Sequence, residues 1–163
     1  NFRKFFHTYP TLLERLLHEL PGGPCEGIEA FIQQVQKSQP APAIGLLTGN
    51  IRVGAELKLK RYNLWQHFPF GGFADDNESR DCIAAVAKER GEAVVGRRLN
   101  GAEILVIGDT PLDISCARSI GAKVLAVGTG NYTAEELAAF NPDHSVENVA
   151  NLNFGDLRPQ VSL

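Results

Sequence analysis

Hydrophobic positions along the chain follow two patterns that meet near Pro24. Over residues 2–20 the apolar side chains are Phe2, Phe5, Phe6, Tyr9, Leu12, Leu13, Leu16, Leu17 and Leu20. That is the three-to-four spacing of a helix with one wide apolar stripe. Pro10 lies inside it and predicts a kink or two abutting helices, because proline has no N–H and crowds the preceding turn. Pro21-Gly22-Gly23-Pro24 is a firm break. A second amphipathic helix is expected over 27–37, with Ile28, Phe31, Ile32 and Val35 on one face.

Beyond it, short apolar runs alternate with helical stretches. The run 43–47 ends on Thr48-Gly49-Asn50. From Arg52 a helix carries Val53, Leu57 and Leu59, with Lys58, Lys60 and Arg61 expected in solvent. Leu64, Trp65 and Phe68 read as core under a sheet edge. Phe70 to Phe73 forms a short strand or turn before an acidic loop, Asp75 to Glu78. Arg80 to Arg90 is helical, with a little more helix over 91–101. Ile104 to Ile107 reads as a strand buried on both faces. Thr110 can cap the helix that follows, with Pro111 in its first turn and Gly121 as its stop. Val124 to Val127, a helix from Ala134 to Phe140 and a last strand from His144 to Val146 complete the pattern. Past Leu152 the signal is weak, and a frayed end is expected. The alternation argues for a parallel sheet with helices on both faces and right-handed crossovers.

In open sheets of this class the chemistry lies beyond the carboxyl ends of the strands. Three strand ends carry polar groups: Thr48, Asp109, and Gly128-Thr129-Gly130. Asp109 and Asp113 flank a strand-to-helix turn, where two carboxylates can face one point and suit a hard cation such as Mg²⁺. Asp113 also fits an acid favoured by the helix dipole, and Asp109 a turn residue. Thr48 can bond a phosphoryl oxygen or cap the next helix. Arg80 can neutralise phosphate or pair with Asp76 or Glu78. Taken together, a hydroxyl, a guanidinium and a metal-binding carboxylate make a phosphate site.

Composition narrows the class. The 163 residues suffice for one domain with a real core, and the formal net charge of -3 leaves no electrostatic footprint for nucleic acid. No apolar run reaches membrane-spanning length, and no secretory signal is visible. Cys25, Cys82 and Cys116 are sparse and odd in number, which fits structural thiols in a reducing cytoplasm. The chain begins at Asn1 and contains no methionine, so residues upstream of it are expected. Nothing in the sequence sets an oligomeric state.

This order of motifs resembles the haloacid dehalogenase superfamily, especially its phosphoglycolate-phosphatase-like hydrolases. Leu46-Leu47-Thr48-Gly49-Asn50 is similar to the family's second motif, whose Thr or Ser binds the transferring phosphoryl group. Arg80 stands where the third motif has a Lys or Arg. Gly108-Asp109-Thr110-Pro111-Leu112-Asp113 is similar to the fourth, in which the first Asp holds Mg²⁺ and the second supports it or pairs with the basic residue. The resemblance implies an α/β fold, a three-layer Rossmann-like parallel sheet over 25–163, preceded at 1–24 by the end of a helical cap. It implies a Mg²⁺-dependent phosphatase acting on a small phosphorylated metabolite. Thr48, Arg80 and Asp109 would be catalytic, Thr48, Gly49, Asn50 and Arg80 would bind phosphate, and Asp109 and Asp113 would hold the metal. The family's first motif, Asp-x-Asp-x-Thr after a leading strand, is absent from these residues. It supplies the nucleophilic Asp and the strand between the two that end at Thr48 and Asp109. These residues alone are therefore expected to be inactive and unstable, with a strand from an earlier segment, or from another chain, inserting between the two. Dehalogenation or phosphomutation on the same fold, and a non-catalytic remnant that binds phosphate or a partner, are the alternatives. Dehalogenases need no metal, so the paired acids argue against the first of these.

Overall fold

The computed structural model describes residues 2–19 and 21–157, and for residues 2–7 the backbone alone. The expectations for Leu20, for the side chains of Phe2, Phe5 and Phe6, and for 158–163 lie outside the described residues.

The first helix, α1 (Phe2–Glu19), is a single helix with Pro10 inside it, so the two-helix expectation does not hold. It packs on α3 (Arg52–Lys60). The contact is close: a Cβ at Gly54 would lie 2.8 Å from the Tyr9 hydroxyl. The second helix, α2 (Ile28–Lys37), buries Phe31, Ile32 and Val35 as the spacing requires. The third apolar run forms β1 (Gly45–Leu47), which pairs in parallel with β2 (Phe70–Gly72), Leu46 opposite Gly71. Between them a 3₁₀ turn, Trp65–His67, follows the buried Leu64. The helix α4 (Arg80–Val95) runs longer than Arg90 and covers β2 and β1.

The remaining strands form a second parallel sheet: β3 (Leu105–Gly108), β4 (Lys123–Val127) and β5 (His144–Val146), in that order. Val106 lies opposite Val124, and Ala126 opposite Ser145. Because side chains alternate across a strand, β4 feeds two cores. Val124 and Ala126 pack with Val106 and with Ile114 and Ala117 of α5 (Pro111–Ser119) and Leu137 of α6 (Ala134–Ala138). Leu125 and Val127 pack with Phe31 and Val35 of α2 and with Leu157 of α7 (Phe154–Leu157). Helices thus cover both faces of a parallel sheet, as the alternation of segments predicts. The last helix, α7, carries no clear periodicity because it is a single turn, and the sequence reading missed it. Gly121 ends α5 with φ 72°, a left-handed geometry that costs glycine little.

One expectation fails. Ile104 to Ile107 was expected to be buried on both faces, yet Ile107 is 42% exposed. The physical reason is pairing: among the described residues β3 bonds only to β4, and β1 only to β2. The free edges of β1 and β3 belong to neighbouring parts of the fold. Leu47 packs on the same apolar cluster as Val106, Ile44 on the same cluster as Leu105, and α4 packs against α5. The described strands therefore form two parallel sheets, with β1 and β3 not paired to each other, the separation expected from the sequence, and the split lies beside the candidate chemistry.

An ion pair pins the loop after β2. Arg90 donates to both Asp76 oxygens, at 2.8 and 2.7 Å, and to the Gly71 carbonyl at 2.6 Å. The hydrogen-bonded Arg90 guanidinium holds the Asp76 carboxyl below its ordinary pKa. A lowered folded pKa adds stability that is present above the unfolded value, about 3.9, and is lost as pH falls through the folded one. Asp76→Asn should therefore cost on the order of 1 kcal/mol at pH 7, discounted because Arg90 is 42% exposed. Urea unfolding checks this: the gap between variant and parent should close in strong acid, and a constant gap would exclude the ion pair as its source.

Candidate active site

The first strand end is Thr48-Gly49-Asn50. The Thr48 amide extends the β1–β2 ladder by donating to the Gly72 carbonyl at 3.1 Å. Its hydroxyl oxygen accepts from the Asn50 amide N–H at 3.1 Å and from Asn50 Nδ2 at 3.0 Å. Thr48 does not cap α3, whose N-cap residue is Ile51 with no side-chain cap; Asp75 instead accepts from the Arg52 N–H there. That leaves the Thr48 hydroxyl at the strand end.

The second strand end is built by a capping box. Thr110 caps α5, accepting from the Asp113 N–H, while Asp113 Oδ2 accepts from the Asp109 N–H, the Thr110 N–H and the Thr110 hydroxyl at 3.2, 3.2 and 2.8 Å. Asp113 is 6% exposed, and its other oxygen, Oδ1, accepts from Arg80 Nη2 at 2.6 Å. Both oxygens of Asp113 are thus engaged. The Asp109 carboxylate is half-buried and accepts no hydrogen bond among the described residues. The loop after β4 comes close to it: a Cβ at Gly130 would lie 2.1 Å from Asp109 Oδ2, so any larger residue there must displace the acid.

Arg80 joins the two ends. It opens α4, and its expected alternative partners are not used: Asp76 is held by Arg90, and Glu78 is exposed and forms no ion pair with it. One arm of the guanidinium binds Asp113, while the other, Nη1, lies 3.0 Å from where a Cβ on Gly49 would stand. Its Nε is buried and has no hydrogen-bond partner among the described residues. Arg80 thereby bridges Asp113 and the backbone at Gly49 across the split between the sheets, with Thr48 and Asn50 beside Gly49 in sequence and Asp109 bonded through its N–H to Asp113. Of the thiols, Cys116 is buried beneath this turn, donating to the Asp113 carbonyl, and burial pushes it up. Cys25 and Cys82 are exposed rather than packed.

Lys58 is the residue sequence reasoning misplaced. It was expected in solvent, yet it is half-buried and its ammonium donates to Asn50 Oδ1 at 3.0 Å. Its place among Lys58, Lys60 and Arg61 gave no local sign, since all three look like a solvated face. Among the described residues no group of three or more His, Cys, Asp and Glu gathers around one point. A cation here would thus rely on Asp109 and on oxygens the chain does not itself cluster. That donor set fits Mg²⁺, which keeps several waters and takes one or two carboxylates plus phosphate oxygens.

Residues 81–152 match the family of HAD-hydrolase-like proteins, a segment that holds Asp109, Asp113 and all of β3 to β5. Over that segment the chain is similar to the haloacid dehalogenase-like hydrolases. No curated protein matches it. Among solved structures it is similar to a candidate phosphatase from Clostridium difficile, at 18% identity and a TM-score of 0.65, covering 82% of this chain and 59% of that one. A predicted phosphatase from Clostridium acetobutylicum gives 18%, 0.65, 81% and 59%. A haloacid dehalogenase-like family hydrolase from Streptococcus pneumoniae gives 16%, 0.58, 77% and 56%. The chain thus spans less than two thirds of each of these structures. Their likeness supports the Rossmann-like fold of the superfamily, and no helix among the described residues is long and apolar enough to cross a membrane.

Proposed function

We propose that this chain is the larger part of a Mg²⁺-dependent phosphatase of the haloacid dehalogenase superfamily, a cytoplasmic enzyme acting on a small phosphate monoester. The observation that carries the reading is Arg80, a half-buried cation with one arm on Asp113 and the other beside Gly49, joining the strand ends of β1 and β3. In this reading the Thr48 hydroxyl and the Gly49 N–H bond phosphoryl oxygens. The Asn50 N–H does not take part, since it is given to Thr48. Arg80 offsets the charge that builds on the phosphoryl group, held in place by Asp113. Asp109 supplies the anionic ligand to Mg²⁺. When bound, the cation acts as a Lewis acid on the phosphoryl oxygens.

The nucleophile is not among the 163 residues. Asp75-Asp76 is the only adjacent pair of Asp, and it lies in the loop beyond β2, where its members contact Arg52 and Arg90. We place the missing Asp at the end of a strand seated between the free edges of β1 and β3. A strand there would pair backbone groups that otherwise cost on the order of 1–3 kcal/mol each when buried unpaired. It would also cover Ile107. In this reading 1–24 is the end of a helical cap, and these residues alone do not turn over substrate. The absent motif equally favours a second reading, a non-catalytic domain that binds phosphate.

The test supplies the strand. The chain joined downstream of a segment with an apolar strand ending in Asp-x-Asp-x-Thr should gain Mg²⁺-dependent hydrolysis of p-nitrophenyl phosphate. Amide hydrogen exchange of Leu46 and Val106 should slow as well. Slower exchange with inorganic phosphate bound but no hydrolysis would leave the second reading standing. Direct pairing of β1 with β3 in the isolated chain would rule out the slot.

A further inference from the structure

Resting on that phosphate reading, we infer that Lys58 is a positioning residue: through the Asn50 side chain it sets the direction in which the Thr48 hydroxyl donates its proton. Three contacts carry it. Lys58 Nζ donates to Asn50 Oδ1 at 3.0 Å, Asn50 Nδ2 donates to Thr48 Oγ1 at 3.0 Å, and the Asn50 N–H donates to the same oxygen at 3.1 Å.

A threonine hydroxyl has two acceptor lone pairs and one proton. Asn50 fills both lone pairs, so the proton must point away from Asn50. Nothing among the described residues accepts it, and the strand end is where Arg80 Nη1 approaches Gly49. A carboxamide has nearly the same shape in both orientations, so packing alone cannot choose between them. Lys58 chooses. An ammonium only donates, so it must meet the amide oxygen, and that turns the NH₂ group to Thr48. In the flipped orientation two donors would face each other at Lys58. The amide oxygen would then take the Thr48 proton for itself, and the hydroxyl would offer an incoming phosphate a lone pair instead of a hydrogen. A backbone bond, Ala74 N–H to the Asn50 carbonyl at 3.0 Å, fixes the main chain so that the side-chain amide is the variable. Lys58 forms no ion pair among the described residues, which leaves its ammonium to this contact. Its neighbour Lys60, by contrast, pairs with Glu56 at 2.6 Å.

Two readouts decide it. The first needs no phosphate. In ¹⁵N-correlated NMR spectra the Asn50 side-chain amide protons should shift and broaden in Lys58→Met but keep their positions in Lys58→Arg, whose guanidinium is also donor-only. Unchanged Asn50 signals in Lys58→Met would overturn the inference whatever the phosphate result. The second is inorganic phosphate affinity by calorimetry. Lys58→Met should weaken it about fivefold, the worth of one hydrogen bond, and Lys58→Arg should restore it. In a Thr48→Val background Lys58→Met should have no further effect. Losses that multiply would mean that Lys58 meets phosphate directly, and that too overturns it. No phosphate binding by the chain joined to the upstream strand would sink the phosphatase reading, while the Asn50 signals would still judge Lys58.

Discussion

Asp109→Asn is expected, on the proposed phosphatase reading, to abolish Mg²⁺-dependent hydrolysis in a chain joined to the proposed nucleophile strand, with a fall of about 10³-fold or more in kcat/KM. The expectation follows from where this acid stands. Asp113, four residues on, has both oxygens committed, one to Arg80 and the other to three donors of the capping box. Asp109 therefore remains as the anionic oxygen ligand that this turn can offer. Asparagine keeps the shape and one neutral oxygen, but it removes the negative charge that holds a hard cation. A metal ion contributes several kcal/mol of charge stabilisation, and each 1.4 kcal/mol is about tenfold in rate. Because the Asp109 carboxylate accepts no hydrogen bond among the described residues, the thermal midpoint should move little. Steady-state assays on an aryl phosphate across a Mg²⁺ series measure the first effect, and calorimetric scans the second. Full activity in Asp109→Asn would remove the metal role from this residue.

Asp113→Ala should act in the opposite sense, on stability before chemistry. The change deletes the acceptor for four hydrogen bonds, dismantles the capping box of α5 and leaves Arg80 partly buried with no counter-charge. Breaking one partner of a buried pair costs about 3–5 kcal/mol. Arg80 is 24% exposed and can turn part of its charge to water, so the lower end of that range, about 3 kcal/mol, is expected. For a chain of this size that is a drop of roughly 6–12 °C in thermal midpoint. Phosphate affinity should fall too, because Arg80 Nη1 is held near Gly49 only while Nη2 is anchored. Urea unfolding and phosphate titration of the same preparation separate the two losses. A thermal midpoint within 2 °C of the parent would show that the ion pair is not what holds this turn.

The sequence by itself determined the elements and their sense. The apolar runs 43–47, 104–107 and 124–127 became β1, β3 and β4, all parallel, because runs that short between helices can bury themselves only in a helix-covered sheet. The caps were equally legible: Thr110, Pro111 and Gly121 bound α5 through local backbone chemistry that needs no distant partner. The tertiary structure decided what depends on neighbours from elsewhere in the chain. Whether Ile107 is buried depends on a strand beside β3, and no spacing within residues 104–107 records that. Whether Arg80 answers Asp76 or Asp113, the latter 33 residues away in sequence, depends on where α4 ends up relative to α5. Lys58 reads as one of three solvated cations until α3 folds beside the Asn50 amide. Periodicity reports which face of an element is apolar. It carries no information on which polar group meets which across the strand ends, because those contacts are set by packing between distant segments.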